Sequence, residues 1–218
     1  MQNWNLFVGM FLISSPILFA MIAFPDSIAW SWNEGRGGYF FALVFVIAEL
    51  IGLKIIISKK RLLAIAPIAL LTISYLVSLE YGLREFLIES ATQFNVQLIY
   101  SWTWMWDFIV MAIFIVIGLT IFFGKRWIRI APAAPIFLSG TAIILSLDAF
   151  FPYDTLGPLQ YIVPYFVQAN VWIITALDLG TAIARDNIMF LRGDHGSMAL
   201  QVFWPSAGVH SIIIFSLV

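Results

Sequence analysis

The chain has 218 residues, of which 62% are hydrophobic and only 11% are charged, and its formal net charge is -1. Soluble domains carry roughly 25% charged residues, so this composition excludes an ordinary soluble domain and predicts an integral membrane protein. The charge balance offers no basic face for nucleic acid, and the absence of cysteine excludes disulfides, iron–sulfur ligation and a thiolate nucleophile.

Apolar runs of membrane-spanning length recur along the chain. They predict an all-α polytopic membrane protein of about six to seven transmembrane helices, forming one integral membrane domain over residues 1–218. Five complete runs are Leu6–Phe24, Phe40–Ile57, Leu62–Leu79, Ile130–Leu147 and Ile162–Ala184. Another run follows the tryptophan cluster Trp102, Trp104 and Trp106 and ends at Phe123. The expected location is the cell membrane, crossed several times.

Two segments between the runs are polar enough to be connectors. Phe24–Gly38 is predicted to be a loop, and it contains Arg36 among interfacial tryptophans. Glu80–Ser101 places Leu83, Phe86 and Leu87 on one face of an amphipathic helix, the pattern of a helix lying along the membrane surface. We therefore expect a solvated, helical connector here.

Three acidic residues are candidates for charges at membrane depth: Glu49, Asp107 and Asp178. An ionisable residue inside a span is a functional-site candidate by default, although Glu49 is equally well explained as a protonated or hydrogen-bonded packing residue. Asp178 lies in the run Ile162–Ala184, whose polar neighbours indicate an inward face. With so few charges and no internal repeat, a transporter or channel is the weakest function considered.

A short β-hairpin is predicted before the last apolar segment. Residues 198–204 alternate apolar and other side chains with a period of two, which is typical of a strand. Ile188–Leu191 is expected to pair with Met198–Phe203 across the turn Arg192–Ser197, which is rich in Gly and Asp. The alternative is an irregular polar loop.

The segment that follows brings a hydroxyl and an imidazole together. If the chain is helical from Gly208, Ser206 and His210 lie one turn apart on the same face. A neighbouring base can activate a serine hydroxyl as a nucleophile, and histidine is the usual base. The competing interpretation is structural, because Pro205 and Ser206 are both favoured at a helix start.

The run Pro205-Ser206-Ala207-Gly208-Val209 resembles the nucleophile motif of the exosortase/archaeosortase family, with Ser206 where that family has cysteine. The serine form is similar to the thaumarchaeosortase branch. Two upstream stretches share the resemblance: Phe24–Ser27 and Asp148–Gln160. The likeness is strongest from Asp148 to Val218.

The resemblance implies a membrane-embedded transpeptidase that cleaves C-terminal sorting signals of exported proteins and transfers them to an anchor such as a lipid head group. Ser206 would be the nucleophile. By our own inference from spacing His210 is the base, while Arg192 or a later arginine stabilises the oxyanion. His195 is interpreted as a solvated loop residue. No cofactor is expected, and two histidines without spaced partners exclude a metal site.

The competing function is a catalytically silent relative that acts as a scaffold or accessory subunit with other membrane subunits. This function is favoured by the absence of cysteine and of the family's downstream catalytic residues from the sequence up to Val218. Ser206–Val218 would span about 20 Å as a helix, less than the roughly 30 Å hydrocarbon core. The family's catalytic arginine and last polar residue lie on later helices, so we expect either a fragment of a longer protein or a shortened relative.

The two basic clusters, Lys59-Lys60-Arg61 and Lys125-Arg126-Arg129, predict the orientation. Both should be cytoplasmic, and simple alternation of spans would then leave Ser206 inside as well. The resemblance implies an outward-facing Ser206. The two requirements agree if the chain makes a re-entrant dip between Phe150 and Ala184, where prolines disfavour one straight helix.

Overall fold

The computed structural model describes residues 4–29, 35–53, 56–152, 160–193 and 196–203. The helices of this part of the chain are α1 (Trp4–Ala23), α2 (Gly38–Leu50), α3 (Lys59–Ser78), α4 (Leu83–Gln93), α5 (Ile99–Phe123), α6 (Trp127–Ile130), α7 (Ala133–Phe150) and α8 (Val163–Ala176). The strands are β1 (Thr181–Arg185), β2 (Ile188–Gly193) and β3 (Gly196–Gln201).

Four helical stretches of the described residues are long and apolar enough to cross a membrane. They are Trp4–Ala23, Lys59–Tyr81, Ile99–Ile130 and Ala133–Phe150. The molecule is therefore a mostly helical membrane protein that carries a small antiparallel sheet towards the end of the described chain.

Five of the described helices close into one bundle. α1 packs between α2 and α3, α5 packs between α3 and α7, and α2 closes the ring against α7. Their inward side chains are apolar and fully buried, among them Ile13, Ile65, Phe108 and Leu138. Lipid is as apolar as these side chains, so close packing rather than a hydrophobic drive must hold the helices together.

Gly118 shows how close that packing is. A Cβ atom at this position would lie 2.9 Å from Ile65 Cδ1 on α3 and 3.0 Å from Ile13 Cγ1 on α1. The missing side chain lets α5 approach both helices at once, which is the usual function of small residues at membrane helix crossings.

Both basic clusters lie at the same end of the bundle. Arg61 Nη1, at the start of α3, donates to the carbonyl oxygen of Phe122 at the end of α5, with an N···O distance of 2.7 Å. Asn5 Nδ2, at the start of α1, donates to the carbonyl oxygen of Ile57 just before α3. We call this the basic end. The polar residues described below cluster towards the opposite end.

Two of the predicted spans are shorter in the structure. The second, predicted as Phe40–Ile57, is helical only to Leu50, because Gly52 adopts φ 85°, a backbone conformation that ends a right-handed helix. The sixth, predicted as one helix over Ile162–Ala184, is wrong in its last part. α8 ends at Ala176, the chain turns through Asp178 at φ 53°, and β1 follows.

The predicted connector helix is confirmed. α4 covers Leu83–Gln93 and packs across the start of α5. Leu87 and Ala91 are buried against the bundle, whereas Phe86, which shares the predicted apolar face with Leu87, remains 63% exposed.

The predicted hairpin is confirmed as part of a three-stranded antiparallel sheet with the order β1-β2-β3. Leu191 pairs with Met198 and Ile188 with Gln201, so β3 ends two residues before the predicted Phe203. β1, which pairs through Thr181 with Arg192, was not predicted. Arg192 therefore lies in β2 and not in the predicted turn.

Candidate functional site

The most polar buried position of the described bundle is Asp107, in the third turn of α5. None of its surface is exposed. Its Oδ2 accepts hydrogen bonds from Arg36 Nε at 3.1 Å and Arg84 Nη2 at 3.0 Å, and its Oδ1 accepts one from Tyr75 Oη at 3.0 Å. Tyr39 Oη donates to its carbonyl oxygen at 2.9 Å. A buried carboxylate requires such partners, because burial without them is strongly unfavourable.

The loop after α1 holds Arg36 in place. Its amide donates to the Ser27 carbonyl oxygen at 2.7 Å, and its Nη1 donates to Ser27 Oγ at 3.0 Å. Ile28 and Gly35 form an antiparallel bridge that brings the two ends of this loop together. Gly35 has φ 90°, and a Cβ atom there would collide with the Ser27 carbonyl oxygen, so this closure requires glycine.

Arg84 approaches Asp107 from the first turn of α4. Gly82, at φ 108°, ends the preceding turn and starts α4, which directs Arg84 back over the bundle. Its guanidinium carbon lies 4.7 Å from the centroid of the Trp104 ring, and that of Arg36 lies 5.5 Å from the same centroid. An aromatic face attracts guanidinium cations, so Trp104 helps to hold both arginines near one carboxylate.

Positive charge exceeds negative charge in this group. Arginine stays protonated in proteins, so Arg36 and Arg84 bring two positive charges to the single carboxylate of Asp107. Both ion pairs found among the described residues use the same oxygen, Asp107 Oδ2. Within the described chain, Arg36 Nη2, Arg84 Nη1 and Trp104 Nε1 are buried and have no hydrogen-bond partner. The group therefore combines an excess positive charge with three donors that have no partner in the described chain. We call Arg36, Arg84, Trp104, Asp107 and Tyr75 the Asp107 cluster.

The other two acidic candidates have different surroundings. Glu49 Oε1 accepts a hydrogen bond from the amide of Ala133 at 3.0 Å, at the start of α7, where helix amides lack partners within the helix. This contact supports the packing interpretation of Glu49. Asp178 is exposed in the turn between α8 and β1 and is not part of a spanning helix.

The residues predicted to perform catalysis are not brought together in the described part of the chain. Ser206 and His210 lie outside the described residues, as does His195. Arg192 is exposed on β2. The backbone is held as far as Val202, whose amide donates to the carbonyl oxygen of Asn187 at 2.8 Å, four residues before Ser206.

One face of the sheet forms an open groove of about 520 Å³. Directly paired residues share a face of a sheet, so Ile183 of β1, Phe190 and Arg192 of β2, and Ser197 of β3 lie on the same side. Ile183 is 68% exposed and Phe190 is 43% exposed. The groove thus combines apolar surface with one cation.

Sequence reasoning missed the two arginines of the Asp107 cluster. The sequence alone predicts Arg36 to be a loop residue and Arg84 to be part of a solvated connector. Asp107 itself was the available signal, because a carboxylate in an apolar span needs cationic partners, and Arg36 and Arg84 adjoin neighbouring spans. Among the described residues, no three His, Asp or Glu side chains are grouped as metal ligands would be.

No protein-family model matches this chain, and no curated protein or solved structure matches it.

Proposed function

We propose that this protein is a multi-pass transpeptidase of the cell membrane, resembling archaeosortases, with Ser206 as its nucleophile. The observation that carries the proposal is the position of the sheet. An ordered, largely exposed sheet in an otherwise apolar chain ends only a few residues before Pro205-Ser206-Ala207-Gly208-Val209. We propose that a peptide bound on this sheet is presented to Ser206.

The substrate class that fits is an extended peptide from the C-terminal sorting signal of an exported protein. β3 is a terminal strand of the described sheet, and every one of its residues is exposed. An extended peptide can bind by adding a strand to such an edge, with adjacent pockets selecting its side chains. The groove beside Ile183 and Phe190 would bind apolar side chains of the peptide, and Arg192 would donate hydrogen bonds to an acidic or carbonyl group.

In the proposed reaction, Ser206 Oγ attacks the scissile carbonyl while His210 takes its proton. Arg192 stabilises the developing oxyanion, an interaction worth about 3–4 kcal/mol in other enzymes. The carbon–nitrogen bond then breaks, His210 gives the proton to the leaving amine, and an ester to Ser206 remains. A hydroxyl or amine of a lipid head group attacks this ester and passes its proton to His210, which gives the proton to Ser206 Oγ as the ester bond breaks.

The proposed topology has about six to seven membrane segments. Besides the four long helices it includes α2, which is apolar but only 13 residues long, together with α8 and the apolar segment after Phe203. The basic end is cytoplasmic, and Ser206 and the sheet face outward. α8 has 14 residues, and the chain turns directly after it at Asp178 into the exposed sheet. We propose that this turn belongs to a re-entrant segment.

Replacement of Ser206 tests the function. In cells that lack the native protein, Ser206→Ala should insert normally but leave exported substrates with their C-terminal helix attached, as judged by the mass of those proteins. Ser211→Ala, which changes a serine in the same segment, is the matched control and should restore processing. Normal processing by a well-expressed Ser206→Ala variant would overturn the enzyme and leave a silent scaffold, whose partners would be other membrane subunits.

A further inference from the structure

We propose that Arg36 and Arg84 form a binding site for one singly charged phosphate-type oxyanion, such as a phosphodiester. The site lies in the helix bundle and uses no residue of the proposed catalytic set. The inference is therefore independent of the proposed function, and each can fail without the other.

The charge of the Asp107 cluster is the first argument. Both arginines donate to Asp107 Oδ2, at 3.1 and 3.0 Å, so one carboxylate serves two guanidinium groups. Its second oxygen is occupied by Tyr75 Oη. No other acidic side chain of the described residues pairs with either arginine. One further negative charge would neutralise the cluster, and a phosphodiester carries one.

The free hydrogen-bond donors are the second argument. Buried polar groups are normally paired, yet Arg36 Nη2, Arg84 Nη1 and Trp104 Nε1 have no partner within the described chain. Arg36 is 99% buried, since only 1% of its surface is exposed. The two guanidinium groups lie over the same Trp104 ring and meet at the same oxygen. The donors thus belong to side chains that share one carboxylate oxygen and one aromatic ring, and paired guanidinium groups are typical of oxyanion sites.

The exposure of the cluster indicates how an anion would enter. The side chains of Arg36 and Asp107 are 2% and 0% exposed, whereas that of Arg84 is 21% exposed. Arg84 therefore forms the accessible side of the site, and Arg36 forms its interior. Because Arg84 Nη1 is itself buried, the Arg84 side chain would have to shift to admit an ion to the free donors.

Binding can be measured on purified protein in an uncharged detergent, by native mass spectrometry and by thermal unfolding. The probes are inorganic phosphate and dihexanoyl phosphatidylglycerol, an anionic short-chain lipid, and octyl glucoside serves as the uncharged amphiphile. The wild type should bind one equivalent of an anionic probe saturably and none of octyl glucoside. Binding of the lipid alone identifies a lipid head group as the source of the phosphate, whereas equal binding of inorganic phosphate identifies the free ion.

The variants test the assignment to Arg84. Arg84→Gln should weaken binding at least tenfold, and Arg84→Lys, which keeps the charge but loses the planar fork, should weaken it less. Arg129→Gln, which removes an exposed arginine from the basic end, is the matched control and should bind as the wild type does. Ser206→Ala should also bind normally.

Three outcomes would overturn the proposal: absence of saturable binding in the wild type, unchanged affinity of a folded Arg84→Gln variant, or equal weakening by Arg129→Gln. The first does not depend on whether any variant folds.

Discussion

At the scale of single residues, Asp107 connects three segments of the chain at the end of the bundle opposite the basic end. It is completely buried and accepts hydrogen bonds from two arginines and a tyrosine that come from three different segments of the chain. Asp107 therefore stabilises the fold mainly by pairing with Arg36 and Arg84, whose charges would otherwise be buried without a counter-charge. Loss of one partner of a buried ion pair is far more harmful than replacement of the whole pair.

We expect Asp107→Asn to lower the free energy of unfolding by about 3–5 kcal/mol, because the amide keeps the shape of the side chain but leaves Arg36 and Arg84 uncompensated. The matched control is Asp26→Asn, which removes the same charge from an exposed position. Thermal unfolding of both variants in detergent measures the effect. Similar stabilities for the two variants would show that the cluster contributes little to folding.

The sequence could identify Asp107 as unusual but could not identify its partners. Arg36 and Asp107 are 71 positions apart, and Arg84 and Asp107 are 23 apart, so no periodicity connects them. Their meeting depends on how the loop after α1 closes at Gly35 and how α4 starts at Gly82. These are properties of tertiary structure, which a pattern of apolar and polar residues does not contain.

At the scale of elements, the helices of the bundle depend on small residues at their crossings. Gly118 is the clearest case, because α1 and α3 both come within contact distance of the place where a Cβ atom would be. A side chain at this position would have to displace the side chains of Ile65 and Ile13, or move α5 away from one of the two helices.

Gly118→Val should lower the free energy of unfolding by about 1–3 kcal/mol, the usual range for overpacking a filled core. Ala64→Val is the control, because it enlarges an exposed position on α3. The midpoints of thermal unfolding in detergent should fall clearly for Gly118→Val and hardly change for Ala64→Val. A Gly118→Val variant as stable as the control would mean that Ile13 and Ile65 or their helices can move aside at little cost.

The elements that the sequence predicted well are those with a clear period. The alternation around Met198 and Leu200 predicted β3, and the spacing of Leu83 and Leu87 predicted α4. β1 was missed because Ala182, Ile183 and Ala184 extend an apolar run and are equally compatible with a helix. In the structure Ile183 pairs with Phe190 of β2, and this contact with a later segment of the chain cannot be read from the local sequence of β1.

At the scale of the whole molecule, the position of the two basic clusters bears on which side of the membrane the proposed reaction takes place. The hydrogen bond from Arg61 to Phe122 connects the regions of both basic clusters, so the two clusters lie at one end of the bundle. Basic clusters resist translocation across the membrane, so the basic end is expected to face the cytoplasm. An exported substrate would present its scissile bond on the other side.

Single cysteines can test this orientation without background, because the chain contains no native cysteine. Lys60→Cys should react with a membrane-impermeant maleimide only after the membrane is opened, and His195→Cys should react in intact cells. Labelling of inverted vesicles, which expose the cytoplasmic side, is the control: there Lys60→Cys should react and His195→Cys should not. If both positions react from the same side, the re-entrant segment between Phe150 and Ala184 and the outward-facing Ser206 are both wrong.

The measurement that tests the proposed activity most directly is covalent trapping of Ser206 by a small fluorophosphonate. An activated serine oxygen bonds to phosphorus, fluoride leaves, and the hydroxyl proton passes to the neighbouring base. We expect peptide mass spectrometry of the membrane-embedded protein to find the adduct on Ser206, and not on Ser211 or Ser197, and we expect His210→Ala to slow its formation. Absence of an adduct on Ser206 in folded protein, or an equal adduct on all three serines, would contradict a nucleophilic Ser206.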